Sequence, residues 1–400
     1  MVLKSEIEKA YNLQQSRQYD KTFINRLYLK KIRYNDPQIE VISGIRRCGK
    51  STLLSQIMKK YKKTAFFNFE DPRIYNFEVE DFQKLDEIIG DNTNAYFFDE
   101  VQNVKNWEIY VRQLHDRNKK VFITGSNASM LSKDLGTKLT GRYIKHELFP
   151  FSYKEYLKFR KISNSNESLE KFIFDGGLPE YLRDSNPEIL QTLLKDIVFR
   201  DITVKYKIKN SKTLMDITLL LISNIAKEHT FNSIRKIFSV GSASTVSDYL
   251  SWLEDAYLFF YLPRFSWSSK NLAFNPRKVY AIDNGLIYSN SLSFSRDSGR
   301  LFENTIFLHL RQHSFMLYYF KQDSECDFVV FENNKLKMLI QVCNELHPDN
   351  KNREINGLIG AMNFFNKNEG YIVTKNQKDK IKMDGKTINI VPAKDFFKII

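Results

Sequence analysis

A chain of 400 residues, 42% hydrophobic and 14% aromatic, carries more apolar material than one core needs and is long enough for two or three folded domains. Sixty-one basic residues against 47 acidic ones leave a formal charge of +14, which favours a polyanionic partner such as a nucleic acid. No run approaches the roughly 18 uncharged apolar residues of a membrane span, Met1–Lys9 lacks the apolar stretch of a secretion signal, and three cysteines without a CxxC pair make no disulfide framework; a reduced, cytoplasmic protein outside the membrane is expected.

Four short apolar runs open the chain, at residues 38–45, 64–69, 94–98 and 120–125, each followed by a plausible helix. Continuous apolar runs suit parallel strands buried on both faces, and the alternation predicts an α/β sheet with its active-site loops at the carboxyl ends of the strands. Between the first run and its helix lies Gly44-Ile45-Arg46-Arg47-Cys48-Gly49-Lys50-Ser51-Thr52. A GxxxxGK[ST] loop turns backbone N–H groups onto phosphate oxygens at a helix N-terminus. Lys50 is then expected at the β and γ phosphates of ATP, with Ser51 on Mg²⁺.

The run Ala95–Phe98 delivers Asp99 and Glu100 to the carboxyl end of a strand. Asp99 is expected to hold the Mg²⁺ shell and Glu100 to orient and polarise the attacking water. The fourth run ends in Thr124-Gly125-Ser126-Asn127, which places Asn127 or Ser126 as a sensor of the γ-phosphate or the water, Asn127 being taken as the catalytic member. Arg142, in Thr140-Gly141-Arg142-Tyr143, is a candidate for stabilising the transferring phosphoryl group, in cis or from a neighbouring subunit; a surface salt bridge is the plainer reading.

After Phe149-Pro150-Phe151 helical periodicity takes over, through Tyr153–Arg160, Leu190–Asp201 and Lys212–Lys227, with Ile162–Ser168 as a polar linker. Phe231–Phe238 and Ser244–Asp255 read as two helices followed by an aromatic strand at Tyr257–Leu262, a winged-helix spacing. Ser242, Ser244, Thr245 and Ser247 could meet a DNA groove, with Arg235 and Lys236 on phosphate, whereas Asp248, Glu254 and Asp255 oppose it. Strands return at Lys278–Ile282, Met316–Phe320, Cys326–Phe331, Lys337–Val342 and Gly370–Thr374. Three domains follow, at residues 1–160, 161–275 and 276–400.

The phosphate loop with Arg46-Arg47, Asp99-Glu100-Val101-Gln102, Thr124-Gly125-Ser126, Leu139–Tyr143 and Leu148-Phe149-Pro150-Phe151 resembles bacterial and archaeal AAA+ superfamily ATPases over about residues 20–160. The resemblance implies a P-loop NTPase parallel sheet, a sensor role for the Ser126-Asn127 turn and an arginine-finger role for Arg142. It further implies a helical segment, which Asp175–Tyr181 and Asp196–Ile202 resemble, a winged-helix region and a C-terminal α/β restriction-endonuclease-like domain.

Gly299–Asn304, Glu325–Val330 and Leu339–Asn344 resemble the helix–strand–strand core of PD-(D/E)xK nucleases, whose chemistry needs carboxylates around Mg²⁺ and a lysine. Asp327 sits where the strand acid belongs and Glu303 could supply the helix acid, but Gln341 and Cys343 occupy the usual acid and lysine positions. A degenerate domain without cleavage is expected, with Lys335, Lys337, Lys351 and Arg353 left to track a phosphate backbone. His309 and His313 have i, i+4 spacing for zinc but lack the glutamate of HExxH, and read as satisfied or surface histidines. The functional expectation is a DNA-associated, Mg²⁺-dependent ATPase that rearranges its domains with nucleotide state. The alternative is a nucleotide-gated switch or scaffold that recruits a protein client with little turnover, and the oligomeric state stays open.

Overall fold

A computed structural model describes residues 1–16, 24–128, 136, 139–292 and 297–399. The chain divides into two compact units: Met1–Pro150 with Asp255–Tyr257, and Phe151–Glu254 with Leu258–Ile400. The first boundary falls at Pro150, ahead of the polar stretch expected to mark it. That stretch is partly a helix cap, since Ser165 and Ser168 cap the helix Asn166–Asp175 reciprocally.

The first unit is built on β1 (Ile39–Ser43), β2 (Thr64–Asn68), β3 (Ala95–Asp99), β4 (Lys120–Gly125) and β5 (Tyr143–Glu147), in the order β2-β3-β4-β1-β5 and parallel throughout. Every residue of β1 and β3 is buried, which is why both read as unbroken apolar runs. Successive side chains leave opposite faces of the sheet. Phe98 joins Phe67, Phe69, Phe77 and Phe82 in one core, where Phe82 stacks on Tyr110 at 4.4 Å. Phe97 on the other face stacks on Phe122 at 4.9 Å, with Tyr61 edge-on to both. The edge strand β5 has no apolar run to announce it, and only His146 of its five residues is buried.

In the second unit, helices Tyr153–Arg160, Asn166–Asp175, Pro179–Asp184 and Pro187–Asp196 lead into a π-helical segment at Ile197–Val204 and the helix Ser211–Ser223. A small antiparallel sheet, β6-β8-β7, comes next. It comprises β6 (Glu228–His229), β7 (Phe259–Pro263) and β8 (Arg277–Ala281), and the helices Phe231–Ile237 and Ala243–Asp255 lie between β6 and β7 in sequence. The strand expected to begin the C-terminal domain therefore completes this sheet instead, because both β6 and β7 hydrogen-bond to it.

The last sheet runs β13-β14-β12-β11-β10-β9, from β9 (Met316–Lys321), β10 (Glu325–Glu332), β11 (Lys335–Val342), β12 (Glu369–Thr374), β13 (Asp379–Met383) and β14 (Lys386–Pro392). β9, β10 and β11 form an antiparallel meander, and β12 returns parallel to β11 after the helix Pro348–Phe364. Leu358, Ala361 and Met362 of that helix pack with Cys326, Val329 and Ile372 in the core.

The Gly176-Gly177 pair is explained by close packing. Phe151 N–H donates to the Gly177 carbonyl at 2.7 Å, and a Cβ on Gly177 would lie 2.2 Å from the Phe151 oxygen. The Gly177 N–H donates in turn to Asp283 Oδ2 at 2.6 Å. Burial pushes the Asp283 carboxyl up to about 6 against the opposing pull of the backbone donors Gly177, Leu286, Gly285 and Leu178.

Candidate functional site

The loop from Gly44 to Gly49 joins β1 to the helix Lys50–Met58. Gly49 stands at φ 97°, a left-handed position that a residue with a Cβ resists, and this turn aims the helix N-terminus back over the sheet. Gly44 has a different reason to be glycine: a Cβ there would meet the Leu148 carbonyl oxygen at 2.2 Å. The first-turn N–H groups of an α-helix have no intrahelical acceptor, so this loop and helix start form a cradle for an anion.

Lys50 is buried and its Nζ donates to the Gly44 and Ile45 carbonyls at 3.1 and 3.3 Å and to Ser126 Oγ at 3.1 Å. Glu100 Oε1 lies 3.4 Å away. Burial works against the Lys50 charge, but Glu100, Cys48 and Asp99 outweigh it and raise the pKa, so the ammonium stays charged.

The two acids differ in environment although they are adjacent. Asp99 ends β3 with 1% exposure and takes hydroxyl hydrogen bonds from Thr124 and Ser51; burial first and Glu100 second push its carboxyl up to about 6. Glu100 leaves the strand at φ 53°, where its N–H donates to Thr124 Oγ1 at 3.0 Å. Its carboxylate lies 2.7 and 2.9 Å from Ser126 Oγ and accepts from Gln102 Nε2 at 2.6 Å. Burial would raise it, yet Lys50, Gln102, Ser126 and Arg46 hold it below the usual carboxylate range. Ser51 and Asp99 are hard oxygen donors in contact, and a divalent cation beside them would favour the ionised Asp99 against the burial and the Glu100 charge that raise it, so the pair suits Mg²⁺.

Of the expected residues, the structure brings Lys50, Ser51, Asp99 and Glu100 together. At the sensor turn it is the Ser126 hydroxyl that meets Lys50 and Glu100, while the Asn127 carbonyl accepts from Ser43 Oγ at 2.8 Å. Arg46 reaches Glu70 at 2.6 Å, and Arg47 adopts a left-handed φ of 66° within the loop.

Arg142 lies away from the phosphate loop of its own chain. Its carbonyl accepts from Ile39 N–H at 2.9 Å, which puts it at the amino end of β1, and the phosphate loop leaves the carboxyl end of the same strand. Five residues at about 3.3 Å each separate the two by roughly 13 Å or more. The guanidinium instead donates to Thr140 Oγ1 at 2.9 Å and lies 3.7 Å from Asp116.

A second cluster gathers the nuclease-like residues and one the sequence did not suggest. Lys278, on β8, is 3.0 Å from Asp327, 3.4 Å from Glu303 and 2.7 Å from Glu325. Tyr280 donates to Glu303 at 2.6 Å. Gln341 accepts from the Asp327 N–H at 3.2 Å and donates to Glu354 at 2.7 Å, so it links β10 to the helix Pro348–Phe364 as an amide rather than as a charged ligand. Burial and then Asp327 push Glu303 up to about 7 against the pull of Lys278. A lone lysine opening an apolar strand was the only available signal for Lys278.

Other expectations shift. Ser242 is used as a cap, accepting from the Thr245 N–H at 3.0 Å, and the Arg235 Nε is buried. Ser247 lines a cavity of about 520 Å³ with Glu254, Tyr261 and Arg277. Lys337 pairs with Glu332 at 3.0 Å and Arg353 pairs with Glu354, with the Arg353 side chain itself largely exposed. His309 is half-buried, its ring 4.7 Å from that of Phe397, and desolvation with His313 lowers its pKa to about 3. Among the described residues no helix is long and apolar enough to cross a membrane.

Residues 36–157 match the family model described as AAA domain, and residues 166–297 match a domain of unknown function, DUF8612. The latter ends beyond β8, in keeping with the place of that strand in the small sheet. Uncharacterized protein MJ1544 of Methanocaldococcus jannaschii is 37% identical over 390 residues, spanning 89% of this chain and 87% of that protein. An uncharacterized protein of Haemophilus influenzae is 28% identical over 385 residues, spanning 90% and 94%. Among solved structures, the Aeropyrum pernix Orc1 protein in complex with DNA aligns with a TM-score of 0.31 at 9% identity, over 72% of this chain and 90% of that one.

Proposed function

We propose that this chain, which belongs to the same family as Methanocaldococcus jannaschii MJ1544 and carries an AAA domain, hydrolyses ATP with Mg²⁺ and couples nucleotide state to the rest of the protein. The observation that carries the reading is the convergence of Lys50, Ser51, Asp99, Glu100 and Ser126 at the carboxyl ends of β1, β3 and β4. These residues come from three separate segments, and each supplies a group that phosphoryl transfer uses.

A phosphate entering the loop competes for the Lys50 ammonium with Glu100 and with the Gly44 and Ile45 carbonyls. Glu100, ionised at neutral pH, is then available to orient a water and accept its proton, with Ser126 and Gln102 fixing the carboxylate. Ser51 and Asp99 are the residues that would hold Mg²⁺, whose charge offsets that of the phosphates. A contribution of Arg142 to phosphate requires a second copy of the chain.

We read the segment from Ser211 to Ala281 as a winged helix. The order helix, strand, two helices, strand, short helix Ser269–Phe274 and strand, with the three strands in one antiparallel sheet, supports this. The +14 charge supports DNA as its partner, whereas Asp248 and Glu254 on the helix Ala243–Asp255 favour a protein contact. We likewise read the helix Ser298–Gln312 with β9–β12 as restriction-endonuclease-like, supported by the order helix, three-strand meander, helix, parallel strand.

Phosphate release with and without single- and double-stranded DNA over a salt series tests the proposal. Lys50→Ala is expected to lose nucleotide binding, and Glu100→Gln to keep it while turnover falls roughly 100-fold or more. Tight ATP retention by wild type with negligible phosphate release refutes hydrolysis and leaves a nucleotide-gated scaffold. A DNA effect that survives high salt refutes an electrostatic contact.

A further inference from the structure

The nuclease-like reading of the last sheet implies a divalent cation among Glu303, Asp327 and the residue at position 341, and the side chains present do not fit one. A Mg²⁺ site offers oxygen ligands at roughly 2.1 Å in a near-octahedral shell that keeps several waters. Among the described residues, no group of three His, Cys, Asp or Glu side chains is arranged to hold a metal ion. One acceptor on each of these side chains is already used. Asp327 Oδ2 takes the Val342 N–H at 3.0 Å, the Gln341 amide oxygen takes the Asp327 N–H, and Glu303 Oε1 takes the Tyr280 hydroxyl.

What stands between the carboxylates is an ammonium. Lys278 is 3% exposed, and its Nζ lies 2.7 Å from Glu325, 3.0 Å from Asp327 and 3.4 Å from Glu303. A lysine has three N–H donors, and three carboxylates surround this one. Bringing either sign of charge alone into such a place is prohibitive, so the lysine and the acids depend on each other. Lys278 comes from β8 of the small sheet, while Asp327 and Glu325 come from β10 and Glu303 from the helix Ser298–Gln312. The contacts therefore tie the small sheet to the large one within the second unit.

We infer that the Lys278 ammonium takes the position of the divalent cation in this unit, so that the acids persist as the shell of an internal cation and the unit neither binds Mg²⁺ there nor cleaves a phosphodiester. The inference rests on the nuclease-like reading for the cation it replaces, whereas the ammonium–carboxylate contacts do not depend on it. It also gives Glu303 and Asp327 a reason to be acidic in the absence of an acid at position 341.

The test uses the full chain without nucleotide, with Mn²⁺ as the probe. Wild type and Asp327→Asn are expected to show the same Mn²⁺ binding by electron paramagnetic resonance, and neither should nick plasmid. Lys278→Ala removes the ammonium shared by the three carboxylates, of which Glu325 keeps Lys321 at 3.3 Å. It is expected to melt roughly 5 °C or more below wild type in EDTA and to recover part of that loss in millimolar Mn²⁺, a recovery wild type does not show. A Mn²⁺ site in wild type that Asp327→Asn removes, or plasmid nicking lost in the same variant, overturns the inference while sustaining the nuclease-like reading. A folded Lys278→Ala that Mn²⁺ does not stabilise overturns the equivalence of ammonium and metal and leaves the nuclease-like reading of the fold as it stands. Should Lys278→Ala not fold, the comparison of wild type with Asp327→Asn still tests the absence of a divalent-cation site, and a site found there overturns the inference.

Discussion

Ser126→Ala separates the two candidates at the sensor turn. The hydroxyl lies 2.7 and 2.9 Å from the Glu100 oxygens and 3.1 Å from Lys50, so the substitution removes a contact to an anion and one to a cation. Hydrogen bonds to charged groups contribute about 1.5–3 kcal/mol, equivalent to roughly 10- to 100-fold in rate at about 1.4 kcal/mol per tenfold. Glu100 keeps Gln102 at 2.6 Å and Lys50 at 3.4 Å, which places the expected fall in kcat at the lower end, roughly tenfold. Because the contact orients Glu100 rather than the nucleotide, KM for ATP should stay within about twofold. Steady-state phosphate release across an ATP titration measures both, and Ser126→Thr, which retains the hydroxyl, should restore part of kcat. Wild-type turnover by Ser126→Ala, or a larger loss in Asn127→Ala, refutes the assignment and returns the role to Asn127.

The remaining predictions concern placement and stability. Arg142→Ala is expected to leave ATP binding to the same chain unchanged in a fluorescent-nucleotide titration, since the residue is at the far end of β1; lost affinity would show the placement to be wrong. Gly177→Ala forces a Cβ to 2.2 Å from the Phe151 oxygen and should cost roughly 2 kcal/mol or more in urea unfolding of the second unit, and an unchanged midpoint rejects that packing. Asp283 is raised by folding from 3.8 to about 6, so the stability it lends is fully present below about 4 and is lost as pH rises through about 6. At about 1.4 kcal/mol per pH unit, wild type should lose up to roughly 3 kcal/mol relative to Asp283→Asn between pH 4 and 7. A pH-independent difference between the two proteins contradicts a buried, raised carboxyl.

The parallel strands of the first unit were legible because burial on both faces leaves unbroken apolar runs, as Ala95–Phe98 shows. Two of the edge strands leave no such trace, although the edge strands β2 and β9 did. β5 reads Tyr-Ile-Lys-His-Glu and β13 reads Asp-Lys-Ile-Lys-Met, each too polar at its exposed edge to be told from a loop. Side-chain direction was equally hidden: Ser126 and Asn127 are neighbours in sequence, and which hydrogen-bonding group meets Glu100 depends on how the chain leaves β4. The phosphate loop, its lysine and the acids of β3 could be read from the sequence alone, because glycine conformation, a helix start and a strand end are local properties of a few consecutive residues. The ammonium among Glu303, Glu325 and Asp327 could not, since Lys278 is 49 residues from Asp327 and only the packing of two sheets brings them within 3.0 Å.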